Sequence, residues 1–172
     1  MTKNNPLLDV EELPQFGAIR PEHVGLALDE LLVSNQAVID QLELAVLDAP
    51  DWESFAQPLE DLEDRLGKMW SPVSHLNAVA DTEDLRKAYE KSLDKLTAYR
   101  AALGQNKMIF QGYRNIQARA DFSDLDVAKR KVIQNAVRDF RLSGVELEAR
   151  RESVSKTSSR ILLPCRTSLN AM

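Results

Sequence analysis

Apolar residues recur along this chain at spacings of three and four, and the pattern reads as helix almost throughout. Val24, Leu28, Leu31, Val38, Leu42 and Val46 make one stripe, running from Pro21 to about Ala49-Pro50. Pro21 suits a first helical turn, where its missing N–H costs nothing, and Glu22 suits the positive end of the same helix. Asn35 interrupts the stripe, either as a polar pair to another helix or as the edge of the face. Asp51 is a capping residue for the next helix, whose stripe is Trp52, Phe55, Leu59, Leu62, Leu66 and Met69. Pro58 predicts a kink there or a fresh start near Gln57. Pro72 disfavours helical geometry at Ser71, so the chain is expected to turn at Trp70-Ser71-Pro72. A short apolar segment, Val73, Leu76 and Val79, then crosses to Thr82. That residue caps a second long helix with Leu85, Tyr89, Leu93, Leu96, Tyr99 and Leu103 inside and Gly104 as its stop. Two antiparallel helices hinged at Ser71-Pro72 are the expectation.

Beyond the hairpin, Ile109, Phe110, Tyr113 and Ile116 give a fourth amphipathic helix between Asn106 and Ala120. Ser123 with Asp126 makes a capping-type start for a fifth, whose stripe is Val132, Ile133, Ala136, Val137 and Phe140, closed by Ser143-Gly144. Pro6, Pro14 and Gly17 punctuate residues 1–20, while Leu7, Leu8, Leu13 and Phe16 offer apolar anchors, which predicts an extended arm lying on the helices. No alternating strand pattern of useful length occurs, nor any internal repeat. The fold class is all-α: an antiparallel helical bundle of about five helices with an extended N-terminal arm and an irregular C-terminal tail.

Composition narrows this little further. A chain of 172 residues suits one domain with a real core, and its 28 % charged and 6 % aromatic content favours helices over short strands. No apolar run approaches the ~20 residues of a membrane span. The N-terminus has no apolar signal region, and Cys165 is the single cysteine, so cytoplasm without a disulfide framework is expected. The net charge of −5 is uneven. Residues 149–172 hold Arg150, Arg151, Lys156, Arg160 and Arg166 against Glu152 alone, leaving the rest strongly acidic. An acidic body argues against nucleic acid. The basic stretch, Ser-rich and without interleaved aromatics, reads as a solvated tail.

The string WSPVSHLNAVADTEDLRKAYE from Trp70 to Glu90 resembles the N-terminal helical region of the oligopeptidase A type of zinc metallopeptidase, in the thimet oligopeptidase family. NPLL at Asn5 to Leu8, LPQF at Leu13 to Phe16, IRPEHV at Ile19 to Val24 and NAVRDFRLSGVEL at Asn135 to Leu147 follow in the family's order. The resemblance implies that residues 1–148 are a helical domain forming part of the wall of a deep channel open to short peptides, with one zinc ion on the far side. It also implies a further long helix after Leu147. Residues 149–172 show no such stripe. Under one choice of codons, Glu152 to Ser159 read in a shifted frame gives Lys-Arg-Phe-Glu-Asp-Ile-Gln, which looks like the family's helix. A frameshifted, irregular tail is the reading this favours. It would leave an apolar face uncovered, including some of Val132, Val137, Phe140 and Leu142, through which the chain would self-associate.

Catalytic chemistry is not legible in the chain itself. A zinc peptidase of this class needs His-Glu-x-x-His on one helix face, with the glutamate as general base. Only His23 and His75 are present, neither with a second histidine four residues on. His75 is expected to hydrogen-bond at the helix junction, and His23 to lie at or near the surface. Cys165 has no electropositive helix start around it, no serine sits in a Gly-x-Ser-x-Gly elbow, and there is no Gly-rich phosphate loop. Glu60-Asp61 and Glu63-Asp64 read as a solvated polar face. Trp70, Tyr89 and Tyr113 are candidates for a channel wall, though at helical spacing core positions are commoner. No catalytic, cofactor-binding or metal-binding residue is assigned, and no cofactor is expected in this chain. The function expected is that of the N-terminal part of an oligopeptidase A-like metallopeptidase without catalysis of its own. The alternative is a stand-alone helical protein-interaction module, which would cap its last helix with polar residues.

Overall fold

A computed structural model describes residues 5–9, 13–46, 49–80 and 82–146. The tail from Ala149, with its proposed frameshift and Cys165, lies outside the described residues. Among the described residues there are five α-helices: α1 (Pro21–Ala45), α2 (Gln57–Val79), α3 (Glu83–Gly104), α4 (Lys107–Gln117) and α5 (Val127–Leu142). No strand occurs among the described residues.

Two apolar clusters set the arrangement. The first joins Val24, Ala27, Leu28 and Leu31 of α1 to Leu66, Met69 and Val73 of α2 and to Leu85 and Leu96 of α3. The second joins Ile39, Leu42 and Val46 to Trp52, Phe55, Leu59 and Leu62, and then to α4 and α5. The early half of α1 thus meets the late half of α2, so these two run antiparallel. Asp29 pairs with Lys95, Asn35 with Tyr99 and Glu43 with Asn106, so α1 and the end of α3 run side by side in the same direction. Helices α4 and α5 close the second cluster from below.

The helix starts follow their caps. The Asp51 carboxylate accepts from the Ser54 hydroxyl at 2.7 Å and from the Ser54 N–H at 2.8 Å, which lowers its pKa, while the Asp51 N–H donates to Ser54 Oγ at 3.1 Å. Here the chain makes one π-helical turn, Trp52–Ala56, that runs straight into α2. Pro58 falls in the first turn of α2, where its missing N–H leaves no gap. Thr82 Oγ1 accepts from Leu85 N at 3.3 Å, and Asn106 Oδ1 accepts from Met108 and Ile109. The cap of α5 is Asp126, accepting from Lys129 N at 2.8 Å, whereas Ser123 lies in a preceding 3-10 turn, Phe122–Asp124. Gly144, at φ 87°, ends the segment in the left-handed region that favours glycine.

Two expectations about the helices are corrected. The turn at Ser71-Pro72 does not exist: α2 continues through a buried Pro72 to Val79, and α3 starts at Glu83. Leu62, Leu66, Met69, Val73 and Leu76 hold the 4-3-4-3 spacing across the proline, so burial of that face offsets the roughly 3 kcal/mol an interior proline costs. Ser92 is buried and Leu93 is 38 % exposed, because the inner line of α3 runs 85, 89, 92, 96, 99, 103. The uncovered face was expected to include some of Val132, Val137, Phe140 and Leu142; Leu142 is exposed, while Val137 and Phe140 belong to the core.

The N-terminal arm does lie on the helices, but on fewer anchors than expected. Leu7 and Ile19 are buried, and Asn5 Nδ2 donates to the His23 carbonyl at 2.9 Å. Leu13 is 88 % exposed. No helix among the described residues is long and apolar enough to cross a membrane.

Candidate functional site

The two histidines occupy separate settings. His23, in the first turn of α1, accepts the Arg20 N–H on Nδ1 at 3.1 Å, while Arg20 bonds back to the Gly17 and Ile19 carbonyls. His23 therefore closes a helix start. His75 sits on the exposed side of α2 with the Phe16 ring against it, centroids 5.4 Å apart. It makes no junction contact, because the helix passes through that position. Pro6, Leu7, Phe16, Ile19, Pro72 and His75 border an open groove of about 560 Å³ between arm and α2.

The aromatic candidates divide. Trp70 stacks on Tyr89 of α3, centroids 5.0 Å apart and 23° between planes, and both are half-buried. This pair clasps α2 to α3 where the sequence placed a hinge. Tyr113 is 4 % exposed, its ring set edge-on to Phe55 at 5.6 Å and tilted to Phe140 at 6.1 Å. Tyr99, half-buried on α3, receives a long 3.4 Å hydrogen bond from Asn35.

Where α2, α3, α4 and α5 come together, a small recess of about 70 Å³ is lined by Leu59, Leu62, Leu103, Ile109, Tyr113 and Phe140. Glu60 and Glu63 stand at its mouth. It adjoins a wider cleft of about 420 Å³ between α3 and α5, edged by Arg100, Asp139 and Ser143. Burial pushes the Tyr113 hydroxyl far above its ordinary range, and the carboxylates of Glu60 and Glu63 push it further. The Glu60 carboxyl is raised by its partly covered position and then by Glu63 and Asp61. Arg100 reaches Glu63 at 3.6 Å, and Asp139 is held by Arg138. In sequence these acids are indistinguishable from a solvated helix face; only the approach of α4 and α5 places a phenol beneath them.

Residues 28–152 match the family model of the neurolysin/thimet oligopeptidase N-terminal domain. The chain belongs to this family. Over 154 residues it is 40 % identical to oligopeptidase A of Haemophilus influenzae, covering 88 % of this chain and 22 % of that protein. Oligopeptidase A of Escherichia coli is 40 % identical over 144 residues, covering 83 % of this chain and 21 % of that protein. A probable cytosolic oligopeptidase A of Arabidopsis thaliana is 34 % identical over 154 residues, covering 89 % and 22 %. The chain therefore spans about a fifth of the length of these relatives and corresponds to the N-terminal part of an oligopeptidase A-like protein.

The described part of the chain offers no set of side chains that fits a resident zinc ion. Its two histidines are committed to a helix start and to a phenylalanine ring, and no three His, Cys, Asp or Glu among the described residues group to hold a metal.

Proposed function

We propose that this chain serves as the non-catalytic helical domain of a metallo-oligopeptidase, supplying part of the wall that restricts a peptide channel to short substrates. The observation that carries the reading is the match of residues 28–152 to an oligopeptidase N-terminal domain, in a chain without a His-Glu-x-x-His motif. Zinc binding and peptide-bond hydrolysis are assigned to the four-fifths of the relatives' length that this chain does not span. Surface chemistry supports this. Leu26, Val33 and Leu44 are 54, 73 and 74 % exposed, and their spacings of seven and eleven put them on one line along α1. An uncovered apolar line suits a domain that packs against more protein, and in isolation it is a face for self-association.

The test is direct. The chain alone, incubated with short fluorogenic peptides and zinc, is expected to give no turnover and to retain no stoichiometric metal after desalting. One tightly held zinc per chain together with cleavage abolished by chelator contradicts the reading.

A further inference from the structure

Four of the five strings that this chain shares with the oligopeptidase family meet at one place. The open groove between the arm and α2 takes Leu7 from the first, Leu13 and Phe16 from the second, Ile19 from the third, and Pro72 and His75 from the fourth. Leu7, Ile19 and Pro72 are buried and serve this domain's own packing. Leu13 is 88 % exposed, Phe16 is 42 % exposed and His75 lies open on α2, so packing within the domain does not account for these three. The arm is also held in place at both ends. Asn5 is buried; its Nδ2 donates to the His23 carbonyl at 2.9 Å, and its Oδ1 accepts from Leu7 N at 3.1 Å. Arg20 donates to the Gly17 and Ile19 carbonyls, and Phe16 rests against the His75 ring. A groove formed in advance loses little freedom when it is filled.

At about 560 Å³ the groove lies within the ~300–1,000 Å³ typical of sites that enclose a ligand. Its walls suit apolar side chains, and Ser71 and His75 offer hydrogen bonds to the main chain that carries them. The source of that segment follows from the length of the relatives. The groove is built from strings this chain has in common with the family, and the chain spans only about a fifth of the related proteins. We propose that the groove between the arm and α2 seats an apolar segment from the remainder of the oligopeptidase-type polypeptide, anchored by one or two bulky aliphatic or aromatic side chains. The inference rests on the reading of this chain as one domain of a larger peptidase, and adds the place of contact. The exposed line on α1 is the competing place, but Leu26, Val33 and Leu44 belong to none of the shared strings.

Titration calorimetry tests it, with the full chain and the portion of Haemophilus influenzae oligopeptidase A beyond the matched 154 residues. Leu13→Ser, which removes an apolar wall, and Ser71→Arg, which fills the groove, should each weaken binding at least tenfold. Both positions are exposed, so both variants should melt as the parent does. Leu26→Ser and Val33→Ser on α1 should change binding less than twofold. A complex weakened by the α1 substitutions and indifferent to Leu13→Ser and Ser71→Arg overturns the inference and leaves the domain reading standing. So does self-association that Leu13→Ser abolishes while the complex is unchanged, because the groove then seats a second copy. No complex with the parent chain overturns both.

Discussion

Gly112→Ala is expected to destabilise the domain by about 3 kcal/mol, toward the upper end of what overpacking costs. A Cβ at this position would meet the Phe55 ring at 2.1 Å from Cζ, and at 2.5 and 2.6 Å from Cε1 and Cε2. Phe55 has no exposed surface and its ring is set edge-on to Tyr113, so it has nowhere to retreat. The added methyl must therefore separate α4 from the turn before α2. Helix propensity alone points the other way, since Ala is favoured over Gly by about 1 kcal/mol in a helix interior. Gly25 and Gly67 supply the control. Both lie in helices with open space where a Cβ would go, so Gly25→Ala and Gly67→Ala should stabilise modestly or do nothing. Thermal melts read all three, with a fall of about 6–12 °C for Gly112→Ala alone.

Asn35→Asp should cost about as much at neutral pH, for an electrostatic reason. Asn35 is 1 % exposed in the middle of α1; its Nδ2 makes only the long bond to Tyr99, and its Oδ1 has no partner among the described residues. A carboxylate placed there loses water and gains one weak donor, a loss of several kcal/mol when ionised. Burial raises the folded-state pKa of the new acid above its unfolded value of ~3.9. The variant's deficit is therefore small below about pH 4, where the acid is neutral in both states, and grows as pH rises through the folded pKa. Asn35→Leu, which introduces no charge, should stay within about 1 kcal/mol of the parent. Denaturant midpoints at pH 4 and pH 7 separate the three chains; an Asp variant with a deficit independent of pH would mean that Asn35 is hydrated.

Much of the bundle was legible because its information is local. Asp51, Thr82 and Asn106 each carry a side-chain acceptor two or three residues before the N–H they satisfy, and the stripe of α4 is short and unbroken. At Pro72 a local backbone preference yields to an apolar stripe that continues on both sides. Proline forfeits one helical hydrogen bond, whereas Met69, Val73 and Leu76 bury a whole face with it. At Leu93 the periodicity is too coarse: one residue's displacement around a helix is 100°, enough to exchange an exposed leucine for a buried serine. The Tyr113 recess had no local signal. Its parts come from α2, α3, α4 and α5, and Glu60 and Glu63 three residues apart are an ordinary surface pattern until a fourth and fifth helix close beneath them.

The central claim is that this domain works as one part of a larger peptidase, and reconstitution tests it most directly. The portion of Haemophilus influenzae oligopeptidase A that lies beyond the matched 154 residues would be expressed alone and together with this chain. At 40 % identity the helical faces should be similar enough to dock. The expected result is a complex that co-elutes in gel filtration and shows chelator-sensitive cleavage of short peptides, with little or none from either part alone. A catalytic portion that elutes separately from this chain, with the same activity in its presence and absence, would contradict the account.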